Sequence, residues 1–191
     1  MRLRHTGAMP AIRAPRLFDG DVGLRGLVAS DIPAMVTACQ DPEIPRWTRV
    51  PSPYLREDAE RFLAVAAAEA AAGVGVALAV TIAAQDRLIG TVGLMDLNGG
   101  GGEIGYWIAA PVRGRGVASR AVRLLRGWAH AELGLDALEI FAHRDNRPSQ
   151  RVAESAGFAS TGEIRSVPRM PPGRRDGYKV YAWRAAERGR P

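Results

Sequence analysis

The stretch Arg113-Gly-Arg-Gly-Val-Ala118 decides how this chain of 191 residues is interpreted, because it joins two segments of different periodicity. Before it, residues 103–108 (Glu-Ile-Gly-Tyr-Trp-Ile) are typical of a strand, and after it apolar residues recur at helical spacing to about Leu133. Gly114 and Gly116 permit a sharp turn that presents consecutive backbone N–H groups, and the helix adds the positive end of its dipole. We therefore predict a phosphate-binding turn at residues 113–118.

Outward from the turn, the hydrophobic pattern predicts a single α/β domain. Segments 76–97 and 158–184 each indicate an antiparallel hairpin. We expect one domain at residues 20–186, a flexible arm at 1–19 and a short tail at 187–191. Strands are predicted at 22–28, 76–83, 88–97, 103–108, 137–142, 158–167 and 177–184, helices at 32–39, 54–72, 117–133 and 146–156, and a loop at 41–53.

The composition is that of an ordinary globular protein, with 47% apolar and 24% charged residues. No run approaches the roughly 18 uninterrupted apolar residues of a membrane helix, and the N-terminus lacks the apolar centre of a secretory signal. A single cysteine, Cys39, excludes an internal disulfide and indicates a reducing compartment, so we expect a cytoplasmic protein. We predict no membrane association, no metal site, and a monomer or a homodimer.

The net charge is +6, and Lys179 is the only lysine, so almost every positive group is an arginine. Two explanations stand side by side. The arginines can form a solvated basic surface, or those near the turn can bind an anionic cofactor with their forked donors. The basic residues are scattered and are not interleaved with aromatic ones, which argues against a nucleic-acid partner.

Two common phosphate loops fit the turn poorly. A P-loop needs Gly-Lys followed by Ser or Thr, and the chain has no Gly-Lys pair. Gly114, Gly116 and Ser119 imitate the dinucleotide fingerprint with its last glycine replaced. However, antiparallel hairpin signals precede the turn, and too little sequence follows it for a doubly wound fold.

Four elements in and around the turn match a third pattern. The motif Arg113-x-x-Gly116-x-Ala118 resembles the coenzyme A pyrophosphate loop of the GNAT N-acetyltransferases. The run 103–108, the pair Asn146-x-x-Ser149 and the motif Glu154-x-x-Gly157-Phe158 resemble the GNAT branch that acetylates the N-termini of ribosomal proteins, the RimJ/RimL type. The resemblance is dense from residue 103 to residue 158.

The resemblance implies a GNAT fold and acetyl-CoA as the cofactor. The expected fold is a mixed, mostly antiparallel seven-stranded sheet with helices on both faces, splayed between the fourth strand (103–108) and the fifth (137–142). The pantetheine arm enters that splay, and the pyrophosphate lies on the turn. The implied cofactor-binding residues are Ile108, Arg113, Gly114, Arg115, Gly116, Val117, Ala118, Asn146 and Ser149.

The resemblance also suggests roles in catalysis. Glu103 is the expected base, with His143 as the alternative, and Ser149 is expected to assist the departing thiolate. Trp47 and Tyr54 are expected to line the acceptor groove. Structural interpretations stand beside these roles: Glu103 as a solvated hairpin residue, His143 as a loop histidine, and Trp47 or Tyr54 as an anchor on the core. Asn146 is also predicted to cap the helix that follows it.

An acetyltransferase acting on an α-amino group of a protein or peptide is the function we expect. An α-amine with a pKa near 8 is roughly one tenth neutral at pH 7, whereas a lysine is neutral only about four times in ten thousand. A small-molecule amine, such as an antibiotic, a polyamine or an amino acid, is an alternative acceptor. A non-catalytic acetyl-CoA-binding module is the alternative from another class.

Overall fold

The computed structural model describes residues 10–82, 84–98, 100–170 and 173–186, and the strands in these ranges form one sheet. The strands are β1 (Leu17–Asp19), β2 (Val22–Gly26), β3 (Val76–Ile82), β4 (Arg87–Asn98), β5 (Gly101–Ile108), β6 (Ala137–His143), β7 (Ala159–Arg165) and β8 (Tyr178–Arg184). Their spatial order is β1-β2-β3-β4-β5-β6-β8-β7. Every neighbouring pair is antiparallel except β5 and β6, which are parallel.

The predicted fold class is confirmed, but the described part of the chain forms eight strands where seven were predicted. The additional strand is β1, which lies inside the predicted arm 1–19 and pairs with β2. Ile12 of that arm is also buried, and its N–H donates to the carbonyl of Ala70 at 2.8 Å. The prediction of a flexible arm is therefore wrong for the last part of that arm. The sequence did not reveal β1 because three residues are too few to show periodicity. Residues 1–9 and the predicted tail 187–191 lie outside the described residues.

Helices cover both faces of the sheet. α1 and α3 share one apolar core with parts of β3 and β4, whereas α4 and α5 pack with the larger core on the opposite face. The predicted loop 41–53 contains a short helix. This helix tolerates Pro42 and Pro45 because both fall at its start, where backbone N–H groups need no helical acceptor. The helices are α1 (Ile32–Ala38), α2 (Glu43–Trp47), α3 (Arg56–Ala72), α4 (Val117–Leu133) and α5 (Arg147–Ser155).

Side chains of β5 alternate between the two cores. Ile104 and Ile108 belong to the core under α4, and Trp107 belongs to the core under α1 and α3. Since alternate residues of a strand share a face, Glu103 lies on the α1 side with Trp107, and Tyr106 lies on the α4 side. The strand predicted at residues 103–108 is thus confirmed, and its side chains serve both cores.

The parallel strands β5 and β6 pair only at their first residues. The register matches Gly101 with Ala137 and ends where Glu103 faces Glu139. Beyond this point β5 stays bonded to β4, and β6 stays bonded to β8, so the two strands diverge towards their C-terminal ends. We call the gap between residues 104–108 and 140–143 the wedge. It is the predicted splay, and it opens towards the start of α4.

Among the helices that the structure describes, none combines the length and the hydropathy that crossing a membrane demands.

Candidate active site

The glycine turn lies at the open end of the wedge. Gly114 has a φ of 75° and Gly116 a φ of 73°, and an added Cβ at Gly114 would meet no atom within 4 Å. Gly116 is the N-cap of α4, and its carbonyl accepts the N–H of Arg120 at 3.1 Å. The N–H groups of residues 117–119, at the start of the helix, have no acceptor within the helix. The turn therefore offers open space lined by main-chain donors, the chemistry that binds a phosphate.

Arg113 does not point its guanidinium at the turn. Its Nε donates to the carbonyl of Ile108 at 2.7 Å, and its Nη1 is 2.6 Å from Oδ2 of Asp41. Its backbone N–H donates to Ala110 at 3.2 Å. These bonds hold the end of β5 to the loop after α1, and the phosphate contact of Arg113 stays a prediction. Arg115 stays exposed on the turn and keeps its positive charge available.

Ile108 and Val117 contribute packing. Both side chains are buried in the core under α4, and the Ile108 carbonyl is already bonded to Arg113. A direct role of the Ile108 side chain or carbonyl in cofactor binding is therefore not supported. Val117 and Ala118 retain a possible contact through the backbone N–H groups at the start of α4.

Two hydroxyl groups meet across the wedge. The hydroxyl of Tyr106 on β5 is 2.9 Å from Oγ of Ser149 in the first turn of α5. Asn146 is the N-cap of α5, as predicted, and its Oδ1 accepts the N–H of Ser149 at 3.1 Å. Sequence reasoning missed Tyr106, because the strand pattern shows which face it occupies but not which helix lies opposite.

Glu103 lies on the other side of β5, and only 13% of its side chain is exposed. Its Oε2 forms an ion pair with Arg169, which also pairs with Asp96. Glu139 lies beside it on β6 and pairs with Arg165 at 3.0 Å. Two adjacent carboxylates thus face the same side of the sheet, each with an arginine from the last hairpin or the segment after β7. This arrangement was not visible in the sequence, because the partners are far apart along the chain.

His143 and Trp47 form an aromatic group at the end of β6. Their ring centroids are 5.5 Å apart, and the His143 ring lies 5.3 Å from Tyr178. The Trp47 Nε1–H donates to Glu43 at 3.0 Å, and the backbone N–H of Asp145 donates to His143 at 3.2 Å. The structure therefore brings Trp47 close to the end of the wedge, where a groove wall was expected.

Tyr54 is not brought to the site. It is 4% exposed and packs with Met35, Cys39 and Ala59 in the core beneath α1 and α3. Burial raises the pKa of its phenol above the usual range. The predicted contact between Tyr54 and an acceptor is therefore replaced by a packing role, because the chain turns inwards just before α3 begins.

Together these features form a candidate site, an anion-binding turn at the open end of a wedge in a splayed α/β fold. The acetyltransferase (GNAT) domain family matches residues 21–159, which is well over half of the chain. The chain therefore belongs to the GNAT acetyltransferase family.

Individual relatives agree with this assignment. Over 86 residues the chain is 40% identical to the probable N-acetyltransferase YjcK of Bacillus subtilis strain 168, a match that covers 44% of this chain and 48% of YjcK. The chain thus spans about half the length of that curated relative.

Solved structures share the fold. RimJ of Mycobacterium smegmatis, in complex with CoA-disulfide, has a TM-score of 0.78 at 19% identity, covering 88% of this chain and 84% of RimJ. The ribosomal-protein-S5-alanine acetyltransferase of Vibrio fischeri has a TM-score of 0.77 at 16% identity, covering 91% and 98% of the two chains. At these identities the likeness concerns the fold alone.

Proposed function

We propose that this protein is an acetyl-CoA-dependent N-acetyltransferase that moves an acetyl group directly to a primary amine, an α-amino group of a protein or peptide. One observation carries the proposal: the open glycine turn lies at the wide end of the wedge, Ser149 borders the wedge on the α4 side, and Glu103 lies at its closed base on the α1 side. A phosphate site, a channel for an extended arm and groups able to handle protons thus occur together.

The residues present fit coenzyme A. The backbone N–H groups from Gly114 to Ala118 and the charge of Arg115 would hold the pyrophosphate, aided by the dipole of α4. The diverging edges of β5 and β6 leave main-chain groups beside which an amide-rich pantetheine arm can pair. Asn146, already the cap of α5, would border the same arm. When bound, acetyl-CoA supplies the activated thioester.

The side chains would then divide the chemistry. Glu103 accepts the proton that the attacking nitrogen loses, and Ser149 donates a hydrogen bond to the departing sulfur. Cys39 is the only cysteine in the sequence. It is buried, and burial raises the pKa of its thiol to about 12, so it is a poor nucleophile. We therefore propose direct transfer without an acyl-enzyme intermediate.

An α-amino acceptor agrees best with this site. The neutral fraction of an α-amine at pH 7 is roughly two hundred times that of a lysine, which lessens the demand on a single carboxylate base. The Vibrio fischeri protein with the same fold is named a ribosomal-protein-S5-alanine acetyltransferase, and the proposal extends a protein acceptor to this chain. The half-buried Trp47 would wall the groove beside His143.

A thiol-release assay tests the proposal. The purified protein is given acetyl-CoA and a panel of peptides with free N-termini, the same peptides with blocked N-termini but free lysines, and small amines. We expect turnover with free N-termini only. Turnover confined to small amines would contradict the acceptor class. Calorimetric binding of acetyl-CoA without any turnover would instead indicate a non-catalytic module, and absence of binding would refute the cofactor assignment.

A further inference from the structure

The contact between Tyr106 and Ser149 joins the two sides of the wedge. Tyr106 lies on β5 beyond the last residue that pairs with β6, and Ser149 belongs to the helix that follows β6. Their hydroxyl oxygens are 2.9 Å apart, a normal hydrogen-bond distance. The contact therefore spans the gap that the pantetheine arm would enter. One of its two partners, Ser149, is the group proposed to face the departing sulfur.

The direction of this hydrogen bond determines what Ser149 can do. A hydroxyl has one proton to donate and two lone pairs that accept. If Ser149 donated to Tyr106, its single proton would be used and none would be left for sulfur. If Tyr106 donates, the serine proton is free to point into the wedge.

Two features favour Tyr106 as the donor. A phenol is more acidic than an aliphatic hydroxyl, which makes it the better donor of the pair. Burial raises the pKa of Tyr106 to about 12, so the phenol keeps its proton through the physiological range. The bond between the Ser149 N–H and Asn146 also fixes the backbone of Ser149, so the serine can adjust only by rotating its side chain.

Resting on the proposed function, we propose that Tyr106 is a positioning residue for the departing sulfur. Its phenol donates to the oxygen of Ser149 and thereby directs the serine proton into the wedge, towards the sulfur of coenzyme A. Tyr106 acts through Ser149 and does not itself touch the reacting atoms. Neither the chain's family membership nor the turn motif depends on this role.

The step remains balanced without transfer of a proton from Ser149. The C–N bond forms, the nitrogen proton passes to Glu103, and the C–S bond breaks with its electron pair remaining on sulfur. A thiolate with a pKa near 8.5 is a far weaker base than a serine alkoxide, so sulfur accepts the hydrogen bond without removing the proton. It is protonated later by solvent, and Glu103 returns its proton to water.

The experiment measures the pKa of the thiol of free coenzyme A bound to the protein, by ultraviolet absorbance of the thiolate during a pH titration. This measurement needs no acceptor and no turnover. The variants are Tyr106→Phe, Ser149→Ala and the double variant. Tyr181→Phe is the matched control, because the Tyr181 hydroxyl also bonds to a side chain of α5, donating to Glu154 at 3.4 Å.

We expect Ser149→Ala to raise the thiol pKa by about half a unit to one unit, as loss of one hydrogen bond to a thiolate implies. Tyr106→Phe should raise it in the same direction, and the double variant should match Ser149→Ala, because the tyrosine acts through the serine. With an acceptor, Tyr106→Phe should lower kcat about fivefold and leave the acceptor KM unchanged. Tyr181→Phe should behave like the wild type.

Three results would overturn the inference. The first is a thiol pKa that stays at its wild-type value in Tyr106→Phe. The second is a double variant in which the two single pKa shifts add, and the third is an equal pKa shift in Tyr181→Phe. Coenzyme A that binds and titrates normally in a protein without turnover would contradict the proposed function alone. Absence of coenzyme A binding would remove both.

Discussion

The two ends of the site are built by different means. At the donor end, the turn from Arg113 to Gly116 is shaped by backbone conformation, with both glycines at positive φ and the start of α4 behind them. At the acceptor end, the arrangement depends on side chains, such as the pair of Glu103 with Arg169 and the contact of Trp47 with His143. A site made from the backbone leaves a local signature in the sequence, whereas a site made from distant side chains does not.

The two ends also differ in what they recognise. One recognises a feature common to every coenzyme A thioester, and the other recognises one particular acceptor. The donor end, as proposed, recognises a diphosphate, which is common to all reactions that use coenzyme A. The proposed acceptor end includes α2 and the arginines Arg169 and Arg174, and the guanidinium of Arg174 donates to the carbonyl of Pro45. Connecting segments of this kind carry specificity in many folds.

The largest expected effect concerns Tyr54, the residue that sequence analysis assigned to the acceptor end and the structure assigns to the core. Tyr54→Ala should lower the free energy of unfolding by about 3–5 kcal/mol, because it removes a buried aromatic side chain. Urea unfolding measures this change. Trp47→Ala is the comparison, since its half-buried ring should cost far less stability and instead raise the acceptor KM. A stable Tyr54→Ala protein with a raised acceptor KM would show that Tyr54 lines the acceptor groove, as the sequence predicted.

Glu103 and Glu139 sharpen the comparison within the acceptor end. Glu103→Gln should lower kcat about 100-fold, the typical contribution of a general base. Glu139→Gln is the matched control, because it also breaks an arginine pair on the adjacent strand and should change kcat less than about twofold. Steady-state kinetics across pH measures both variants. Equal losses would show that charge near the arginines matters and that Glu103 is not the base.

Gly116 tests the donor end. Gly116→Val places a branched side chain where φ is 73°, a strain of about 1–3 kcal/mol that moves the main-chain donors. The Kd for coenzyme A, measured by calorimetry, should rise about tenfold to a hundredfold. Gly127→Ala adds a Cβ in open space on α4 and should leave the Kd unchanged. Tight binding by Gly116→Val would show that backbone conformation does not build this end.

The smallest effect is expected at Cys39, which lies at neither end. With a thiol pKa raised to about 12 by burial, only roughly one molecule in ten thousand carries a thiolate at pH 8. A thiol reagent should therefore leave the native protein unmodified and react after denaturation, as mass spectrometry would show. Rapid modification of the folded protein would mean that the core beneath α1 opens readily.

The sequence was sufficient for the order of the elements, the splay and the glycine turn. These features depend on periodicity, on glycine at positive φ and on the cap formed by Asn146, all of which are local. The three-residue strand β1 and the helix α2 were missed because each is too short for its period to repeat recognisably. Four prolines in the predicted loop 41–53 concealed α2 as well.

The site was predictable only as a set of residue types. Glu103 and Ser149 were selected by motif, but the pairing of Glu103 with Arg169 and of Ser149 with Tyr106 requires the fold. For Arg113, the sequence did not show that the carbonyl of Ile108 and the carboxylate of Asp41 bind its guanidinium. The sequence shows which donors exist and the tertiary structure decides where each one points.

The short parallel ladder at the base of the wedge fixes more than the opening. The side-chain period of a strand is two, so a slip of one residue between β5 and β6 would turn every later side chain of β5 to the opposite face. The carboxylate of Glu103 would then point into the apolar layer beneath α4, and the phenol of Tyr106 would leave α5. The three pairs of this ladder, together with the longer pairing of β5 with β4, therefore set which groups face the proposed substrates.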